Sequence, residues 1–366
     1  MDVISFINEL FHQAIKQRAS DIHIEPQADY LRIRQRIDGF LHQTDQVPME
    51  FASAILSRLK VMAHLDIGEK RIPQDGAMSI HCLDDTVDVR LSTIPTLYGE
   101  KMVLRILASH SEAVVLEELG LEDEEGQRIE QLLRRSSGLL VVTGPTGSGK
   151  TTTLYAMMQK LNRTEINLVS LEDPIELQLR GINQIQVQPK IGFTFAQGLR
   201  AVLRQDPNVI MIGEIRDRET ADIAIGAALT GHLVLSTLHT VDGASAITRL
   251  LDMNVEPYRI AASLSGVIAQ RLVRLICIEC KGVGCDRCSE TGYRGRKGAF
   301  EVITIDEEVE RMIIQKSTLT HLRQYFRQQG MRSLNQILEL KVQEKQTTFT
   351  EYLRVMDDVE KEKMEV

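Results

Sequence analysis

The run Gly144-Pro145-Thr146-Gly147-Ser148-Gly149-Lys150-Thr151 constrains this chain more than any other stretch. It follows the apolar residues 138–143, which suit a short strand, and it leads into 151–161, which have helical spacing. A glycine-rich turn between strand and helix lets backbone N–H groups curl around a β-phosphate, with the positive end of the helix behind them. The pattern fits G-x-x-x-x-G-K-[ST]: Lys150 reaches the β and γ oxygens, the Thr151 hydroxyl holds Mg²⁺, and Thr152 follows in the first helical turn. A nucleotide-binding α/β unit is the consequence.

The surrounding pattern agrees. From about residue 119, strands at 138–143, 167–171, 209–212 and 233–237 alternate with helices at 151–161, 195–204 and 218–229. Such alternation predicts a parallel sheet with helices on both faces. Residues 1–108 read differently, as a small α+β domain with helices at 3–18 and 50–63 and strands at 21–25, 31–37, 86–92 and 101–107. In 31–37, Leu31, Ile33 and Ile37 face one way and Arg32, Arg34 and Arg36 the other. Residues 109–118 form the expected linker to a second domain, 119–366. The region 305–366 is helical in period, Gly330 marks a break, and the charge-rich last ten residues should fray.

Composition narrows the function. With 43 basic and 51 acidic residues the net charge is −8, and aromatics reach 4% with no Trp. Both features oppose a nucleic-acid ligand, which favours basic patches and stacking platforms. Asp2 and Glu9 stand where a signal peptide needs basic residues. Residues 223–241 carry no Asp, Glu, Lys or Arg, yet Thr230-Gly231 interrupts them. They read as a buried helix followed by a buried strand rather than a membrane span, so a cytoplasmic protein is expected.

Two strands end in acids. Glu214 follows 209–212 after Gly213, which occupies the position where such strands usually carry an aspartate, leaving Glu214 for Mg²⁺ or its water. Glu172 and Asp173 close a neighbouring strand and offer a second carboxylate at the same edge. His232 and His239 flank the third strand. A histidine there either contacts a γ-phosphate, donating when protonated, or is a hydrogen-bonded core residue. Cys277-x₂-Cys280-x₄-Cys285-x₂-Cys288 supplies four thiolates within twelve residues, the donor set of a structural Zn²⁺; Gly282 and Gly284 permit the tight fold-back. Free thiols or a redox pair are the alternatives. Cys82 reads as a small core residue.

Taken together, 144–151, Ser170-Leu-Glu-Asp-Pro-Ile-Glu176, 203–217 and Thr230-Gly-His-Leu-Val-Leu-Ser-Thr-Leu-His-Thr240 resemble the Walker A, Asp box, Walker B and His box of the secretion ATPases of type II secretion and type IV pili. Ala19-Ser-Asp-Ile-His-Ile-Glu-Pro26, Pro73-Gln-Asp-Gly76 and Thr291-Gly-Tyr-Arg-Gly-Arg296 extend the likeness over nearly the whole chain. The resemblance implies a RecA-like ATPase domain and a homo-hexameric ring at the cytoplasmic face of the cell membrane. It implies ATP bound between two domains, with an inner-membrane platform protein and pilin assembly machinery as partners. It makes Lys150 and Thr151 the phosphate and Mg²⁺ ligands, Glu172 the water-positioning acid and Glu214 the metal-side acid. His239 becomes a γ-phosphate contact, and Arg90 and Arg105 match two arginines acting on the transferring phosphoryl group. Ala77 departs from the arginine that many relatives carry after the Pro-Gln-Asp-Gly turn. Relatives that assemble filaments carry a tetracysteine element, and a member without the extra N-terminal domain looks like the competence pseudopilus ATPases of Gram-positive bacteria. A secretion motor or true pilus motor is the alternative reading; a DNA translocase or a nucleotide-switched scaffold stands further off.

Overall fold

The computed structural model describes the backbone of residues 1–82, 85–107 and 115–364, and their side chains except at 82, 85 and 358–364. Most of the expected linker and the Cys82 side chain lie outside the described residues. The chain divides into two compact units, Met1–Glu112 and Ala113–Val366.

The first unit opens with α1 (Val3–Lys16), started by the Asp2 carboxylate accepting from the Ile4 and Ser5 N–H groups. Ile7, Leu10, Phe11 and Ala14 fall on one face and are buried. Then come β1 (Ala19–Pro26), β2 (Tyr30–Ile37), β3 (Phe40–Pro48), α2 (Ala52–Met62), β4 (Gln74–Cys82), β5 (Asp85–Thr96) and β6 (Gly99–Ile106). They form an antiparallel sheet in the order β3-β2-β1-β6-β5-β4. One face packs with α1 and α2 around Ile22, Ile24, Leu31, Ile33, Leu91 and Leu104. On the polar face Glu25 gathers Arg32 at 2.9 Å, Arg34 at 2.8 Å and Lys101 at 3.1 Å. Burial pushes its carboxyl up, but Arg34 and Lys101 more than reverse this and bring it to about 2.

The second unit runs α3 (Asp123–Leu133), β7 (Gly138–Thr143), α4 (Lys150–Leu161), β8 (Leu168–Glu172), β9 (Asn183–Gln186) and α5 (Phe195–Val202). It continues with β10 (Val209–Ile212), α6 (Arg218–Leu229), β11 (Leu233–Leu238), α7 (Gly243–Asp252), α8 (Pro257–Ser263), β12 (Leu264–Ile276) and β13 (Tyr293–Thr304). Four helices close it: α9 (Glu307–Ile314), α10 (Leu319–Gln328), α11 (Leu334–Gln343) and α12 (Phe349–Met364). The sheet order is β13-β12-β7-β11-β10-β8-β9, parallel throughout except for the β12–β13 pair. Alternate residues of one strand enter opposite cores: Leu139 and Val141 pack with α5 to α10, Leu140 and Val142 with α3 and α4. This is the doubly covered α/β sheet read from the alternation.

Gly330 has φ of 70° between α10 and α11, as the break requires. Helix α12 carries the backbone of the charge-rich end to Met364. No helix among the described residues is long and apolar enough to cross a membrane.

Candidate active site and metal centre

The parallel register brings the sequence motifs to one edge. Thr143 pairs with Leu238, while Ile212 pairs with both Ser236 and Leu171. The loop after β7, Glu172, Glu214 and His239 therefore all stand at the carboxyl ends of adjacent strands, where open α/β sheets bind ligands.

Residues 144–149 turn through Gly144 (φ 150°), Gly147 (80°) and Gly149 (89°). A Cβ on Gly144 would stand 2.5 Å from the Gln270 carbonyl, and one on Gly149 2.8 Å from Gln270 Nε2. Gly144 is thus demanded by the β12 backbone as well as by its angle, whereas Gly147 and Gly149 are demanded chiefly by their angles. Lys150 folds its ammonium onto the Gly144 and Pro145 carbonyls at 2.7 and 2.9 Å. This holds the charge over the hollow of the loop. Ser148 Oγ is buried within the loop, whereas Thr151 and Thr152 are exposed at the start of α4. Thr153, one residue further, donates to Gln270 Oε1 at 2.7 Å.

Glu214 is the carboxylate that faces this edge. It pairs with Arg216 at 2.5 Å and lies 3.6 Å from His239 Nε2. Burial lowers the His239 pKa first, and Lys150 adds to it. Both favour the neutral imidazole, while the Glu214 carboxylate opposes them. Glu172 sits deeper at the same edge. It is 2% exposed, and Tyr155, Ser170 (2.6 Å) and Gln184 (3.0 Å) all donate to it. Burial, then the bond to Glu172, raises the Tyr155 phenol well above its usual value. Oε2 thus holds the underside of α4 to β8 through Tyr155, and Oε1 ties β8 to β9 through Ser170 and Gln184, while Asp173 beside it is exposed. His232 takes the hydrogen-bonded reading of the two open to it, not the γ-phosphate one. It sits at the amino end of β11, where its carbonyl accepts from Gly138 N and its ring meets the Ala227 carbonyl at 3.0 Å. That is the end of the sheet opposite the phosphate loop, and the ring finishes α6.

Arg90 and Arg105 face each other across β5 and β6 in the first unit. Arg105 is well exposed and bonded through Nε to Asp21 at 3.1 Å. Sequence reasoning passed over Arg216, Gln270 and Arg271. Arg271 lies buried beside Gly144, donating to the Val241 carbonyl at 2.9 Å and to the Gln270 carbonyl at 3.0 Å. Only Arg216 had a sequence signal, its place two residues after Glu214.

The four cysteines close the loop of the β12–β13 hairpin. Their sulfurs all lie within 4.8 Å of one another, with separations of 3.9, 3.7 and 3.7 Å for Cys277–Cys285, Cys280–Cys288 and Cys285–Cys288. Sulfurs about 2.3 Å from a tetrahedral zinc stand about 3.8 Å apart, so the donor set fits Zn²⁺ without rearrangement. Backbone N–H groups of Gly284, Cys285 and Gly292 point at Cys280 and Cys288 Sγ at 3.2 to 3.3 Å, bonds that favour thiolates. Burial raises the Cys288 thiol, but its backbone donors and the neighbouring sulfurs outweigh it and bring it to about 7. The Cys285 thiol goes the other way: backbone donors lower it, but burial and the neighbouring sulfurs outweigh them and raise it to about 11. Purified protein should carry about one zinc per chain by metal analysis; less than about half an equivalent counts against the site.

A phosphate loop after an interior strand of a parallel sheet, an acid–histidine pair at the same edge and an antiparallel N-terminal sheet together define a P-loop ATPase of the secretion type. The family described as "Type II/IV secretion system protein" matches residues 1–354, and the chain belongs to it. The protein is 48% identical to type II secretion system protein HxcR of Pseudomonas aeruginosa over 364 residues, 97% of this chain and 78% of that one. It is 46% identical to type II secretion system ATPase E of Vibrio cholerae over 336 residues, 85% and 67% of the two. Among solved structures it resembles the pilus retraction motor PilT with bound ADP, with 28% identity and a TM-score of 0.68, covering 95% and 96%. The protein is an ATP hydrolase of a secretion or pilus system.

Proposed function

We propose that this chain is the homo-hexameric motor that builds a pseudopilus for type II secretion, acting at the cytoplasmic face of the inner membrane on a platform protein. The meeting of Lys150, Glu214 and His239 at one sheet edge carries this reading, and the relatives that share 46–48% of its residues direct it toward secretion. The relatives reported above are type II secretion proteins, which turns the reading from competence toward secretion.

In this reading the loop N–H groups and Lys150 hold the phosphates, and Thr151 and Glu214 hold Mg²⁺, which neutralises charge between the β and γ oxygens when bound. His239 gives its N–H to the γ-phosphate side. Glu214, the more open acid, also orients water; Glu172 supports the edge from below. Arg90 and Arg105 act on the nucleotide of a neighbouring subunit. Arg105→Ala should leave ATP binding near normal while cutting turnover several-fold, whereas an equal loss of binding would mean damage to the first unit's fold. The function itself is tested by deleting the gene in its own host. Loss of exoprotein secretion with DNA uptake intact supports the proposal; the opposite pattern replaces it with the competence role.

A further inference from the structure

The loop from His239 to Gly243 is held at every residue. His239 meets Glu214, Thr240 N donates to Thr143 Oγ1 at 2.9 Å, and the Val241 carbonyl accepts from Arg271 at 2.9 Å. Asp242 pairs with Arg323 of α10 at 2.7 Å. Gly243 N then donates to Glu301 Oε1 at 3.0 Å, and Leu334 N donates to Oε2 of the same carboxylate, also at 3.0 Å.

We propose that Glu301 is a positioning residue for ATP turnover: its carboxylate ties the loop at the phosphate edge to the start of α11. This rests on the reading of that edge as the γ-phosphate side. Glu301 comes from β13 and is only 8% exposed, so both bonds are largely shielded from water, where they count most. Each is to the first residue of a helix, a position whose N–H has no partner within the helix. The ordinary caps are already filled: Asp242 accepts from Ser245 N and Ser333 from Gln336 N. Glu301 thus serves two helix starts at once, one with each carboxylate oxygen. Gly243 makes the approach possible, since a Cβ there would stand 3.1 Å from Oε1 and 2.3 Å from Ile303 Cδ1. A shift of the loop on loss of the γ-phosphate must therefore move α11, or break one of these bonds.

A cavity of about 170 Å³ adjoins the carboxylate. The charged groups around Glu301 are Asp242 ahead of α7, Arg323 and Arg327 on α10, and Arg332 ahead of α11. Burial, then Asp242, pushes the carboxyl up from 4.5 to about 7, against the two N–H donors and Arg323. Ionisation therefore costs folding stability as pH rises from 4.5 through 7, yet it completes the link, because a protonated acid gives up one acceptor.

The test is the pH profile of kcat for the full chain. Wild type should gain turnover through a step near pH 7. Glu301→Gln, with one acceptor oxygen, should lose that step and fall about five-fold at pH 8 with KM for ATP within about two-fold. A variant that keeps the step, or loses kcat and KM together, overturns the inference. Arg323→Gln keeps the test decisive if Glu301→Gln does not fold: losing that cation should move the step to higher pH, and an unmoved step overturns the proposal. Lys150→Ala separates the two readings. If it still turns over ATP, the phosphate-edge reading fails; if it is dead while Glu301→Gln matches wild type, only this inference fails.

Discussion

Lys150→Ala should abolish ATP turnover, a loss of at least about 10²-fold in kcat, since the ammonium is the one cation the loop places against the transferring group. Its two backbone acceptors, the Gly144 and Pro145 carbonyls, show where it waits. Removing it frees those carbonyls to water and leaves the glycine backbone unchanged, so the variant should stay folded. Phosphate release measured under saturating ATP, beside a thermal melt, checks both halves. Turnover near the wild-type rate would dismiss the loop as the phosphate site.

The second large effect belongs to Glu214. Glu214→Gln should lower kcat by about 10²-fold or more while ATP still binds, because the amide can neither ionise toward Mg²⁺ nor take a proton from water. It should also free Arg216, whose guanidinium is paired with that carboxylate, and raise the local positive charge beside Lys150. ATP affinity is then held or improved, as an equilibrium measurement with a fluorescent nucleotide would detect. Glu172→Gln makes the informative comparison. Its partners Tyr155, Ser170 and Gln184 place it under α4, so its loss should show first as a lower melting temperature. A Glu172→Gln protein as stable as wild type but as slow as Glu214→Gln would return the water-positioning role to Glu172.

What could be read from the chain follows the range of the interactions involved. β7, β10 and β11 are apolar runs bounded by glycines and acids, and the loop after β7 has angles that few residues other than glycine adopt, so element and motif coincide in sequence. The Cys277–Cys288 spacing was legible for the same reason: the donor set is local. Glu172 and Glu214 look alike on paper, each an acid closing a strand. Only the third dimension buries one under Tyr155 and leaves the other facing His239. His232 differs from His239 by which end of β11 it occupies, and the parallel pairing with β7 decides which end matters. Gln270, Arg271 and Glu301 were missed because their meaning comes from sheet order. β12 lies beside β7, though more than a hundred residues separate them in sequence, and nothing in Leu264–Ile276 announces that neighbour.

That same adjacency bears on how the protein comes off the ribosome. The first unit's sheet is mostly hairpins between successive strands, a low-separation topology that can close as soon as β6 is made. The phosphate loop cannot. One wall of it is Gln270, so the glycine turn is synthesised long before the strand that shapes it. Nucleotide cannot chaperone the nascent chain until β12 has emerged. A chain released before that point should carry the intact 144–151 motif and still fail to hold ATP.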